Sequence, residues 1–129
     1  MENNRQRYEA VTKTLNGKQK IIHYKGYKGL IVQHPMVGHL CGYVVIPEGH
    51  ILYQKDYNVI DVYIHGGLTY SGSLPGTEEG YCVGFDCAHA GDWLPGLDLE
   101  GETYKDITFV ESELKSLINQ IINLVKEVE

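Results

Sequence analysis

The sequence predicts an α+β domain, an antiparallel-rich β-sheet with a C-terminal amphipathic α-helix packed on it. Three observations predict it. Short apolar runs rich in Val, Ile and Tyr are separated by Gly and Pro turn signals. Leu114, Ile118, Ile121, Val125 and Val128 recur at spacings of four and three, which is one face of a helix. A chain of 129 residues suits a single domain, 1–129, able to bury about two thirds of its unfolded surface.

Taken in order, residues 1–19 are polar with mixed charge, and Asn16-Gly17 marks a turn. Tyr8, Val11 and Leu15 fit a short first helix or a frayed arm. Lys20–Tyr24 and Leu30–His34 read as strands, the second stopped by Pro35. Gly26 and Gly29 flank Tyr27-Lys28, which places the turn of a hairpin there. Residues 35–58 are less regular: Cys41–Ile46 reads as a strand, Pro47–His50 as a turn, and Ile51–Tyr53 as a further apolar run.

Val59–Ile64 is β-branched and aromatic, reads as a strand, and runs into His65-Gly66-Gly67. Residues 71–80, rich in Gly, Ser, Pro and Glu, read as an exposed loop. Tyr81–Phe85 reads as the last strand and leads into Asp86-Cys87-Ala88-His89. Gly91–Gly96 is a loop with the single Trp, and residues 97–107 are acidic and loop-like. Thr108 with Glu111 fits a capping box for the final helix. Leu117, Ile122 and Leu124 widen its stripe, which must dock on its own sheet or on a second copy of the chain.

Composition bounds the function. The chain is 43% hydrophobic and 22% charged, ordinary for a folded protein and unlike a disordered one. A net charge of −6 argues against general attraction to a nucleic-acid backbone, though local donors can still bind a small phosphate. Three cysteines, Cys41, Cys82 and Cys87, do not make a disulfide framework. The polar start lacks a signal-peptide core, and no apolar run is long enough to span a bilayer. The expectation is a cytoplasmic protein with no membrane partner. Ten tyrosines offer flat amphipathic surfaces for packing or stacking.

The chemistry concentrates in two stretches, Asp61–Tyr70 and Gly84–Asp92, each an apolar run ending in His, Asp, Gly or Cys. Four polar candidates, Asp86, Cys87, His89 and Asp92, fall within seven residues, and His39, His50 and His65 join the set. The leading expectation is a pocket for a small nucleotide-like, phosphate-bearing ligand. Its residues are His65, Gly66, Gly67, Thr69, Tyr70, Asp86, His89, Asp92 and Trp93, with glycine N–H groups facing the anion and Trp93 or a Tyr stacking on a base. It needs no cofactor. An alternative is a hydrolase or phosphodiesterase holding one divalent metal such as zinc on His65, Asp86, His89 and Asp92. Cys87 activated by His65 or His89 would be a nucleophile, set against burial as a small hydrophobe. Aspartate–histidine bonds can also simply tie loop ends together. A further alternative is an interaction protein whose acidic, Tyr-rich surface binds a host protein. A homo-oligomer is expected.

Gly42-Tyr-Val, Pro47-Glu-Gly-His50, Tyr53, His65-Gly-Gly-Leu-Thr-Tyr70 and Gly84-Phe-Asp-Cys-Ala-His-Ala-Gly-Asp92 resemble a family of small, uncharacterised bacteriophage and bacterial proteins. The likeness covers about residues 38–96. It implies no activity and assigns no catalytic residue. It implies a phage or mobile-element setting, hence the host cytoplasm. In that setting small proteins counter host defence by binding a host protein or by sequestering or cleaving a nucleotide signal.

Overall fold

A computed structural model describes residues 3–74 and 77–129. The element order is α1 (Asn4–Leu15), β1 (Lys20–Tyr24), β2 (Tyr27–Gln33), β3 (Leu40–Val45), a 3₁₀ turn (Tyr57–Val59), β4 (Tyr70–Gly72), β5 (Cys82–Asp86) and α2 (Ile107–Glu127). The five strands form one antiparallel sheet in the order β1-β2-β3-β5-β4, so the α+β reading holds.

The first helix is well formed. Asn3 caps it, accepting from the Gln6 backbone N–H while the Gln6 side chain accepts from Asn3 N–H. It buries Val11 and Leu15. The hairpin turns two residues earlier than expected, at Lys25-Gly26, both with positive φ (49° and 84°), the geometry that suits a two-residue hairpin. Gly29 therefore lies inside β2. A Cβ there would come within 2.8 Å of Ile22 and 3.5 Å of Leu114, so glycine makes room for the Ile22 side chain of β1.

The helix α2 covers one sheet face. Its stripe of Val110, Leu114, Leu117, Ile118 and Ile121 is buried against Ile31, Val44, Val83 and Phe85. Each such side chain contributes about 1.5–3 kcal/mol on burial. The stripe thus docks on its own sheet, and Val128 at its end stays exposed. The helix begins earlier than the Thr108 reading: Asp106 is the cap and accepts from Phe109 N–H at 3.0 Å. The opposite face carries a smaller cluster, Leu30, Leu74 and Cys82, with Val32, Tyr43, Val45 and Tyr70 against it.

Two expectations about strands are corrected. Val59–Ile64 is not in the sheet. Val59 ends the 3₁₀ turn, Val62 N–H donates to Ile60 O at 3.2 Å, and the segment, with Ile60 and Ile64 buried, is tied to α2. Gln120 binds it from both sides: its Oε1 accepts from Tyr63 N–H at 2.7 Å and its Nε2 donates to Tyr63 O at 2.8 Å. Helix side chains take the place of a neighbouring strand. Conversely, the expected 71–80 loop contains part of β4, which pairs with β5 through Tyr70↔Gly84 and Gly72↔Cys82; residues 75 and 76 of that loop lie outside the described residues. The apolar run Ile51–Tyr53 lies in turns. No helix among the described residues is long and apolar enough to cross a membrane.

Candidate functional site

Three chain segments meet beyond the end of β5. The first is the His65-Gly66 turn, which follows the segment held on α2. The second is the Asp86–Asp92 loop. The third is residues 102–105, which run beside it: Trp93 N–H donates to Thr103 O at 2.9 Å, Thr103 N–H to Gly91 O at 3.0 Å, and Asp92 and Thr103 form a parallel bridge.

Asp92 is the centre. It is only 2% exposed and would be costly to bury unpaired. His65 Nε2 lies 3.0 and 2.9 Å from its two oxygens, His89 backbone N–H donates to Oδ2 at 3.0 Å, and Lys105 Nζ lies 3.2 Å from Oδ1. Burial alone would raise its carboxyl; the hydrogen bonds from His65, His89 N–H and Lys105 outweigh it and lower the pKa below the ordinary value. With Nε2 donating to Asp92, the His65 Nδ1 lone pair is left for something else. No group among the described residues hydrogen-bonds it. The ring is braced edge-on by Phe109 at 5.1 Å, and His65 N–H donates to Glu113 at 3.0 Å.

A second aspartate–histidine pair adjoins the first. Asp86 Oδ1 accepts from Ala88 N–H at 3.0 Å, and its Oδ2 from Thr69 Oγ1 at 3.0 Å. His89 Nε2 lies 3.1 Å from Asp86 Oδ1 but out of hydrogen-bond alignment, and the buried nitrogen has no hydrogen-bond partner among the described residues. The two imidazoles face each other at 6.1 Å, edge to face. Gly66 has φ +68°, and a Cβ on it would lie 2.3 Å from His89 Cδ2. Glycine is therefore required under that ring.

The structure thus brings together His65, Gly66, Thr69, Asp86, His89 and Asp92. It does not bring Trp93 or Tyr70 with them. Trp93 is 2% exposed, packed between Tyr8 and Tyr104, with its Nε1–H donated to Asp98 at 2.7 Å, so it offers no stacking face to a ligand. Tyr70 sits edge-on to Tyr43 and donates its hydroxyl to Ser73 O. Gly67 N–H already donates to Ile64 O at 2.9 Å, which removes it from the expected anion-binding pair. Among the described residues no three His, Cys, Asp or Glu side chains are grouped to hold a metal.

Cys87 is buried, and burial, with Asp92 next, pushes its thiol far up, the opposite of an activated nucleophile. Burial likewise pushes Cys41 and Cys82 up to about 11. His50 bonds Tyr27 at 2.9 Å, away from the cluster. His39 is 8% exposed, its Nδ1 has no hydrogen-bond partner among the described residues, and burial first, then His34, lowers its pKa. Reading the sequence missed Lys105, Phe109 and Glu113. Lys105 had a visible signal, as the single cation in the acidic stretch 97–107.

No family model, no curated protein and no solved structure matches the chain. The functional reading therefore rests on the cluster itself.

Proposed function

We propose that the protein binds a small polar, nucleotide-like ligand at the His65–Asp92 and His89–Asp86 pairs, and that it reads the ligand's hydrogen-bond donors. The carrying observation is the clamp on His65: both oxygens of a buried carboxylate hold Nε2, which fixes the tautomer and leaves Nδ1 as an acceptor. A site with two carboxylates and one lysine favours hydroxyl or amino groups over a phosphate. Ribose hydroxyls or a base amino group are the parts of a nucleotide that fit it. In the phage setting that the resemblance implies, such a protein would sequester a nucleotide signal.

The test is a calorimetric titration of the full chain with adenosine and with AMP. Binding of adenosine that is lost in His65→Ala, with the melting curve unchanged, supports the reading. Unchanged affinity in a folded His65→Ala protein, or no binding of either compound, overturns it.

A second reading shares the same geometry. An imidazole oriented by a buried aspartate is also how a general base is built, with Nδ1 taking a proton from a hydroxyl or water. It predicts turnover that Asp92→Asn lowers more than it lowers ligand affinity.

A further inference from the structure

A cleft of about 770 Å³ lies between α1 and the end of β2 and reaches the sheet face that α2 leaves uncovered. Its size falls in the range of small-molecule sites, about 300–1,000 Å³. Its chemistry is the reverse of the His65 cluster. Val32 and Tyr43 give an apolar floor, and Lys18, Gln19 and His34 supply polar groups. The chain has 17 acidic residues, yet no Asp or Glu is among the described residues that line this cleft.

Two of the polar groups are poised as donors. Lys18 lines the cleft and has no ion-pair partner among the described residues, so its ammonium is free to meet an anion. His34 Nδ1 accepts from Met36 N–H at 3.2 Å and Val37 N–H at 3.0 Å. The neutral ring must then carry its proton on Nε2, so that nitrogen is a donor. The His34 ring is also held in place, stacked on buried His39 at 5.0 Å and 19°. Tyr43 lies over Gly84, where a Cβ would meet its ring at 2.4 Å, and is braced edge-on by Tyr70.

We propose that this cleft is a second binding site, for a small anion with a flat apolar body such as an aromatic carboxylate. The ring lies on Tyr43 and Val32, and the negative group meets Lys18 and His34 Nε2–H. The site is independent of the His65 cluster and does not rest on the function proposed for it.

The test is a ¹H–¹⁵N correlation titration of the full chain with salicylate, with benzylamine as the cationic match and benzyl alcohol as the neutral one. Saturable shifts of the Gly17, Lys18, His34 and Tyr43 amides with salicylate, much weaker with the other two, are expected. Lys18 is exposed, so Lys18→Glu folds normally, and it weakens salicylate several-fold while the His65 and His89 signals stay where they are. Any of three results overturns the proposal: no saturable shift at those amides, an equal response to benzylamine, or wild-type affinity in Lys18→Glu.

Discussion

Gly66 lies directly beneath the imidazole of His89, so close that a Cβ on Gly66 would sit 2.3 Å from Cδ2 and 2.4 Å from Nε2. Next to it, Gly67 has a similar φ of +77° with nothing within 4 Å of its would-be Cβ. The pair separates backbone strain from steric exclusion. Gly67→Ala should cost about 1–2 kcal/mol, the penalty for a side chain in the left-handed region. Gly66→Ala should cost about 1–3 kcal/mol more, because the ring must also move. Urea unfolding measures both. The His89 ring resonances should shift in Gly66→Ala only; equal costs and unmoved resonances would mean that the ring does not depend on the glycine.

Among the described residues Asp92 is the only carboxylate that touches all three segments of the cluster, through His65, His89 N–H and Lys105. Asp92→Asn keeps the shape and removes the charge. It should destabilise the fold by about 2–4 kcal/mol, because Lys105 and the His89 amide lose an ionic acceptor. The pH dependence follows from the depressed carboxyl. Its folded pKa lies below the ordinary 3.8, so its stabilisation is present above that value and is lost as pH falls through the folded pKa. Acid unfolding of Asp92→Asn should therefore show a shallower loss below about pH 4 than the parent. A parallel acid limb in both proteins would remove Asp92 from the account.

Much of this was legible in residue pattern. Alternation and turn signals placed β1, β2, β3 and β5 within a few residues, because each buries at least one face in the sheet. The four polar residues of the cluster were legible as well, since His65, Asp86, His89 and Asp92 crowd the ends of apolar runs. What failed did so for a physical reason. Val59–Ile64 has strand composition, but composition does not say what satisfies the backbone, and Gln120 and Glu113 lie some fifty residues away. Trp93 follows Asp92 and looked like a neighbour of the site; in the folded chain it turns into the Tyr8–Tyr104 cluster instead. Lys105 reached Asp92 only through the Thr103 bridge, which no local spacing announces.

His39 should make stability depend on pH near neutrality. The ring is buried, its Nδ1 has no hydrogen-bond partner among the described residues, and burial followed by the neighbouring His34 lowers its pKa below the ordinary 6.5. In the window between the two values the unfolded chain binds more protons than the folded one, so stability rises with pH. The contribution is complete above about pH 6.5 and declines as pH drops below it. Urea midpoints taken across that range should fall on acidification, and His39→Phe should flatten the fall. A His39→Phe protein with the parental slope would place the effect in another group.

Gln120 should control how firmly His65 is presented. Its amide makes both backbone hydrogen bonds of Tyr63, two residues before His65, while α2 itself is held by Val110, Leu114, Leu117, Ile118 and Ile121. Gln120→Ala therefore leaves the helix intact and loosens the segment. Losing two modest hydrogen bonds should cost about 1–2 kcal/mol locally. That corresponds to amide exchange at Tyr63 about tenfold faster. Gln120→Glu keeps the acceptor for Tyr63 N–H and loses the donor to Tyr63 O, so its effect should lie between. The His65 amide, bonded to Glu113 two turns back along the helix, should respond less than Tyr63. If Tyr63 exchange is unchanged in Gln120→Ala, the segment is held by the burial of Ile60 and Ile64 alone, and the imidazole is positioned by packing rather than by the helix's side-chain amide.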